Sequence, residues 1–257
     1  MTTTLEVQQI PCLSDNYGYL VHDAVSGLTA SIDTPDTGPI LQALEKKGWR
    51  LDFIFNTHHH DDHAGGNLAL KEKTGCEIIG PRADAGRIPG IDRQVGEGDS
   101  VALGEWPFTV HDTPGHTRGH IVYHCQQAEV AFVGDTLFAL GCGRLFEGTP
   151  AQMWDSLQKI SSWPDQTLIY CAHEYTQANA RFALSVEPGN TDLVARDVQI
   201  SAARERGEPT VPTTLALERK TNPFLRPHSS NLQQTVGLVG ASDVEVFART
   251  RELKDSF

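Results

Sequence analysis

Seven side chains in four short islands of this 257-residue chain have the types and spacing to do chemistry. The first island is Thr57-His58-His59-His60-Asp61-Asp62-His63-Ala64-Gly65-Gly66; the others centre on His116, Asp135 and His173. Five imidazoles (His58, His60, His63, His116, His173) and two carboxylates (Asp62, Asp135) are enough to hold two metal ions around a shared water. Such a pair generates hydroxide at neutral pH and polarises a carbonyl or phosphoryl oxygen. The residues therefore predict a dinuclear metallohydrolase, with Asp62 and Asp135 positioning the attacking hydroxide.

The elements that must position these donors can be read beside them. An apolar strand over 51–56 ends at Thr57. His58 and His60, two apart in extended chain, point to the same side. Asp62 and His63 open the next helix, where Gly65 and Gly66 allow close backbone packing. His59 and Asp61 are expected to point away. A helical H-E-x-x-H site on His59 and His63 fails, because position 60 is His rather than Glu. A merely solvated turn is a poor account of such dense His and Asp between an apolar strand and Gly-Gly. The other islands also follow strands: 108–111 before His116, 130–133 before Asp135, and 168–171 before His173. Donors at strand ends converge on one edge of a sheet. His120 stays open as a supporting residue, while His22, His111, His124 and His228 read as structural or surface.

Further strands are expected at 5–10, 17–22, 28–32, 76–79, 100–103 and 120–125, with a helix over 39–47 stopped by Gly48. Many strands with few helices between them predict an α/β four-layer αββα sandwich. Beyond residue 174 no strand is expected. Thr191 is read as the cap of a helix to about 206, and Ser242-Asp243-Val244-Glu245 as a capping box opening a last helix toward Lys254. A catalytic domain over 1–173 and a helical domain over 174–257 follow.

Composition narrows the class. Twenty-one Lys and Arg against 33 Asp and Glu leave −12, which speaks against a nucleic-acid partner. The N-terminal residues have no signal-peptide pattern, and no apolar run is long enough to span a bilayer. Five scattered cysteines without C-x-x-C fit a reducing cytoplasm rather than a disulfide framework.

With these motifs in view, the chain resembles the metallo-β-lactamase superfamily through T-H-x-H-x-D-H-x-G-G. Within it, the chain is similar to the glyoxalase II (hydroxyacylglutathione hydrolase) family. That likeness is carried by Gly134-Asp135-Thr136-Leu137-Phe138, the run Gly141 to Thr149, Cys171-Ala172-His173-Glu174-Tyr175-Thr176 and Thr221-Asn222-Pro223-Phe224-Leu225-Arg226. The resemblance implies that His58, His60 and His116 hold one metal, that Asp62, His63 and His173 hold the other, and that Asp135 bridges them. It implies zinc first, with iron or manganese as options. It further implies hydrolysis of the thioester S-D-lactoylglutathione to D-lactate and glutathione, a step of methylglyoxal detoxification. The glutathione part would be recognised by Arg144, Tyr175, Arg251 and Lys254. The family often has Lys and Tyr where this chain has Arg144 and Phe146, so Phe146 lacks the hydroxyl contact that the resemblance implies there. A leaving thiolate, whose acid has a pKa of about 8.5 to 9, departs without a dedicated general acid. A monomer acting on a small molecule is expected.

Three rivals remain open at this point. A mononuclear-iron glutathione-persulfide dioxygenase could use His58, His116 and Asp135 alone. A lactonase is chemically feasible but does not explain the helical tail. A metal-binding module without turnover is the third.

Overall fold

The computed structural model describes residues 5–257. Strands β1 (Leu5–Cys12), β2 (Asn16–Asp23), β3 (Thr29–Ile32), β4 (Phe53–Phe55), β5 (Glu77–Pro81) and β6 (Arg93–Val95) pair in that order in one sheet, antiparallel up to β3 and parallel after it. A second sheet begins with β7 (Ser100–Leu103), β8 (Trp106–Asp112), β9 (Ile121–Cys125) and β10 (Val130–Gly134). After the small ribbon β11 (Leu137–Phe138) and β12 (Gly141–Cys142), it continues with β13 (Leu168–Cys171) and β14 (Thr213–Thr214). The helices are α1 (Thr37–Lys47), α2 (Asp61–Ala64), α3 (Asn67–Thr74), α4 (Pro150–Ser161), α5 (Thr176–Val186), α6 (Thr191–Glu205), α7 (Leu215–Thr221), α8 (Ser230–Val236) and α9 (Asp243–Asp255).

Backbone contacts divide the chain into two compact units. One takes the chain up to Asp112 together with Arg118–Gly134, the other Thr113–Thr117 with Asp135–Phe257. In the first unit the two sheets face each other through aromatic rings. Phe55 of β4 lies 5.3 Å from Tyr123 of β9 and 6.1 Å from Phe108 of β8, and Tyr19 of β2 lies 5.5 Å from Phe132 of β10. The Tyr123 hydroxyl is satisfied in that dry interior by donating to the Asn56 carbonyl at 2.9 Å. The other face of the first sheet is covered by α1 and α3, where Ile40, Leu44 and Leu70 pack with Leu20, Ile54 and Ile78. Each such aliphatic chain contributes about 1.5–3 kcal/mol by leaving water. Helix α1 starts at Asp36, whose carboxylate accepts from the Gly38 amide, and stops at Gly48 with φ +68°.

In the second unit α5 and α6 close over Leu140, Ala180, Ala183, Leu193 and Ile200. The rings of Phe182, Phe224, Phe247 and Trp154 form a chain with centroid spacings of about 6 Å. The capping box expected at Ser242 is present, with Glu245 closing it. Two details depart from the sequence reading. A strand does occur beyond residue 174: β14 pairs antiparallel with β13, Leu168 opposite Thr214. Two residues are too few to show any periodicity. Helix α6 is capped by Asn190 rather than Thr191, its side chain accepting from the Leu193 amide; both residue types cap well, so the choice falls to the local backbone.

Candidate metal centre

In the first unit β4 delivers the chain through Asn56 and Thr57 to the first island, and α2 turns it back. His58 and His60 face the same way as expected, with His58 Nε2 and His60 Nδ1 3.0 Å apart. Two ring nitrogens at that distance can serve one cation. His63 is held through its other nitrogen: Nδ1 lies 2.8 Å from Asp33 Oδ2, which leaves Nε2 as the donor. Asp33 also accepts from the Thr57 amide and hydroxyl, both at 2.8 Å. A carboxylate behind a ligating histidine fixes its tautomer and strengthens it as a ligand. Asp62 has its Oδ2 3.0 Å from Asn16 Nδ2. His59 points away, as predicted: Arg87 approaches its Nε2 at 3.1 Å and Asp84 its Nδ1 at 3.2 Å.

Glycine is required at two points here. A Cβ on Gly66 would lie 2.7 Å from the Thr34 carbonyl, which accepts the Gly66 amide at 3.0 Å. Gly134 has φ +47°, and a Cβ there would strike His120 Nε2 and Thr57 Oγ1, both at 2.7 Å. That tightness also answers the question left over His120. It is fully buried and stacks on His58, centroids 4.9 Å apart. It braces a donor ring and belongs to none of the donor groups below.

In the second unit Asp135 lies between two imidazoles. Its Oδ2 is 3.3 Å from His116 Nε2 and its Oδ1 is 3.4 Å from His173 Nε2. Each oxygen of this one carboxylate is thus turned toward a different histidine. His116 Nδ1 is held by the Arg144 carbonyl at 2.9 Å, again committing Nε2 to the site. Tyr175 stacks on His173 at 4.7 Å, nearly parallel, and Phe146 lies 5.1 Å from His116 while 62% exposed. Phe146 therefore presents an apolar face where a hydroxyl was in question.

All seven predicted donors fall into groups whose ligand atoms lie within 4.8 Å of one another: His58, His60 and His116; His58, His63 and Asp135; Asp62, His63 and His173. Imidazole and carboxylate donors of this kind suit divalent zinc, iron or manganese. The residues fit a metal centre, and the chain is a divalent-metal binder.

The four residues expected to meet the substrate all lie in the second unit. Arg144 and Tyr175 are exposed. Arg251 is not a solvated helix end: it is 5% exposed, donates from Nη1 to the Cys142 carbonyl at 2.9 Å, and pairs with Asp255 at 2.9 Å. Lys254 is half-buried, its Nζ donating to the Ala178 carbonyl at 3.4 Å. Burial pushes the thiols of Cys142 and Cys171 up to about 11 and about 12, so both stay protonated at pH 7 and are structural rather than nucleophilic.

Two family models meet end to end on this sequence. Residues 18–173 match the metallo-β-lactamase superfamily and residues 174–257 the hydroxyacylglutathione hydrolase C-terminus. A hydroxyacylglutathione hydrolase of Maricaulis maris (strain MCS10) is 55% identical, covering 98% of this chain and 99% of its own. One of Brucella ovis is 54% identical over the full length of both. The chain belongs to the hydroxyacylglutathione hydrolase family. It thereby shares the metallo-β-lactamase fold, and solved structures agree. ETHE1 from Myxococcus xanthus superposes with a TM-score of 0.69 at 27% identity, covering 96% of this chain and 90% of its own. The BLEG-1 B3 metallo-β-lactamase does so at 0.66 and 21% identity, covering 86% of this chain and all of its own. Among the described residues no helix is long and apolar enough to cross a membrane.

The sequence reading missed the members of this family site that carry no ligand atom: Asn16, Asp33 and Asp84. Asp33 had one available signal, an acid at the carboxyl end of an apolar strand; in the fold its φ is +56°. Replacing it by Asn, which tolerates that backbone, should lower metal affinity by about 10–100-fold through His63. Metal titration of the stripped protein checks this; unchanged affinity would show that Asp33 does not tune the ligand.

Proposed function

We propose that the protein hydrolyses S-D-lactoylglutathione to D-lactate and glutathione, using two divalent ions, zinc first among them. His58, His60 and His116 would hold one, Asp62, His63 and His173 the other, with Asp135 shared between them. The observation that carries this reading is the overlap of the three donor groups, which share His58 and His63; three donors alone would do for a mononuclear iron oxygenase. Family membership supplies the substrate class.

When bound, the metal ions lower the pKa of water and polarise the thioester carbonyl. The chain's own residues do the rest. Asp33 and the Arg144 carbonyl each hold the second ring nitrogen of a donor histidine. Tyr175 and Phe138 cover the His173 ring and keep water from that side. Arg144, Arg251 and Lys254 attract the carboxylates of the thiol portion, and Tyr175 borders it. The helical segment 174–257 is thus the substrate-binding domain. No residue is needed to protonate the leaving sulfur.

Purified, metal-loaded protein should cleave S-D-lactoylglutathione in strong preference to simple lactones and hold close to two metal ions per chain. Preference for lactones, or one iron with oxygen consumption, would replace this reading.

Lys254 adds a pH signature. Burial, then the charges of Arg251, Arg181 and Arg144, hold its ammonium below the usual 10.5, with Asp255 opposing. A lysine with lowered pKa is charged below that value and loses its charge as pH rises through it. The KM for an anionic thioester should therefore rise at a pH where an ordinary lysine is still charged. Lys254→Arg should keep KM flat over that range, and Lys254→Ala should raise it about tenfold throughout. A wild-type KM that does not move with pH removes Lys254 from the pocket.

A further inference from the structure

The second unit contains nine arginines, and seven of them are each paired with an Asp or Glu, from Arg196 with Glu218 to Arg251 with Asp255. Among the described residues the two exceptions are Arg144 and Arg181, both exposed. In a chain with 33 acids and 21 bases, unpaired guanidinium groups should be scarce, and these two are not scattered. Lys254 Nζ lies against α5 between Ala178 and Phe182, 3.4 Å from the first residue's carbonyl and 5.3 Å from the second's ring, and Arg251, three residues before it, holds the Cys142 carbonyl two residues before Arg144. Arg181 stands on that same stretch of helix. Arg144, Arg181, Arg251 and Lys254 bring four positive charges together, and Asp255 beside them is already engaged by Arg251. Arg251 is buried and committed, and Lys254 is partly so. The two guanidiniums are the charges of this group that stand exposed, beside the more buried Arg251 and Lys254.

We propose that Arg181, together with Arg144, forms a two-pronged cationic clamp in which Arg181 binds one of the two carboxylates of the glutathione portion. This rests on the substrate reading above and adds a binding residue to it. The chemistry matches in number and sign: two free guanidinium forks for two carboxylates, each able to form a bidentate charge-assisted pair. Lysine would serve less well, since a point charge does not orient a planar carboxylate. An uncompensated cationic pair also attracts an anionic substrate from a distance, in a way that salt weakens.

The test uses full-length, metal-loaded protein with Arg181→Ala, Arg181→Glu and Arg181→Lys. Two readouts are followed: steady-state hydrolysis of S-D-lactoylglutathione and of a neutral acyl thioester lacking both carboxylates, and calorimetric binding of reduced glutathione. The wild type is expected to prefer the anionic thioester, with kcat/KM falling as salt rises. Arg181→Ala should raise KM for S-D-lactoylglutathione about fivefold and flatten its salt dependence, with weaker glutathione binding to match. Arg181→Glu should go further and Arg181→Lys less far, and the loss on the neutral thioester should be much smaller. If the wild type cleaves S-D-lactoylglutathione but neither KM, salt slope nor glutathione affinity moves in Arg181→Ala and Arg181→Glu, Arg181 is only a solvated side chain and the inference is overturned. If wild-type protein fails on that thioester, the parent reading falls and the clamp with it.

Discussion

Asp135→Ala is expected to abolish hydrolysis, with kcat/KM falling by at least about 10³-fold, equivalent to about 4 kcal/mol of transition-state stabilisation. The reason lies in the two oxygens of Asp135. One is 3.3 Å from a ring nitrogen of His116 and the other 3.4 Å from His173, in a residue only 6% exposed. Removing the carboxylate takes away the proposed bridge and one of only two donor negative charges. Asp135→Asn keeps the shape and loses the charge, so it separates the two effects. Metal analysis of each variant should show fewer ions per chain than wild type, with near-wild-type circular dichroism showing that the fold survives. A fully active Asp135→Ala variant would mean that the donor cluster is not where catalysis happens. Inactivity at full metal content would instead assign Asp135 a role in positioning water rather than in holding metal.

Glu218→Ala should cost about 3–5 kcal/mol of stability, the usual result of stranding one partner of a buried ion pair. Glu218 is fully buried and satisfies four groups. Oε1 takes Arg196 Nη2 and, at 2.8 Å, the Thr213 hydroxyl; Oε2 takes the Leu140 amide at 2.9 Å and Asn222 Nδ2 at 3.0 Å. The Ala variant leaves Arg196, itself 5% exposed, with two hydroxyl acceptors, Thr221 and Thr213, and no counter-charge. At about 2–4 °C per kcal/mol for a chain of this size, Tm should fall by roughly 10 °C, and urea unfolding should give the same ordering. The double change Glu218→Leu with Arg196→Met removes both charges and should recover much of the loss. If the single variant is as stable as wild type, the pair does not anchor this part of the fold. The change should also reach binding. Asn222, which Glu218 holds, donates to the carbonyls of Phe138 and Gly141 at 3.1 and 3.0 Å. That ribbon leads into Cys142, whose carbonyl takes Arg251. A higher KM in the surviving folded enzyme is the expected sign.

The donors and their supports differ in how legible they are. His58 and His60 could be paired from spacing, because an extended chain has a fixed period of two. Asp33 could not be paired with Thr57 and His63, since those bonds cross 24 and 30 residues and leave no local pattern. Nothing in the sequence marks Arg251 as buried, because a terminal cation favours a solvated helix end anyway. Its partner Cys142 lies 109 residues earlier, and only tertiary packing could bury it. Arg181 carried no signal at all. A lone arginine on a helix is ordinary, and it stands out only when its neighbours are seen to be paired and it is not.

By itself, the sequence determined the family, the types of the candidate donors and their placement after strands, because ligating chemistry belongs to a residue and strand ends are marked by nearby residues. Tertiary structure alone decided which oxygen of Asp135 faces which histidine, which carboxylate backs His63, and which arginines are left free for an anion. Those properties depend on distances between segments far apart in the chain, and such distances are set only when the apolar faces of the sheets and helices close.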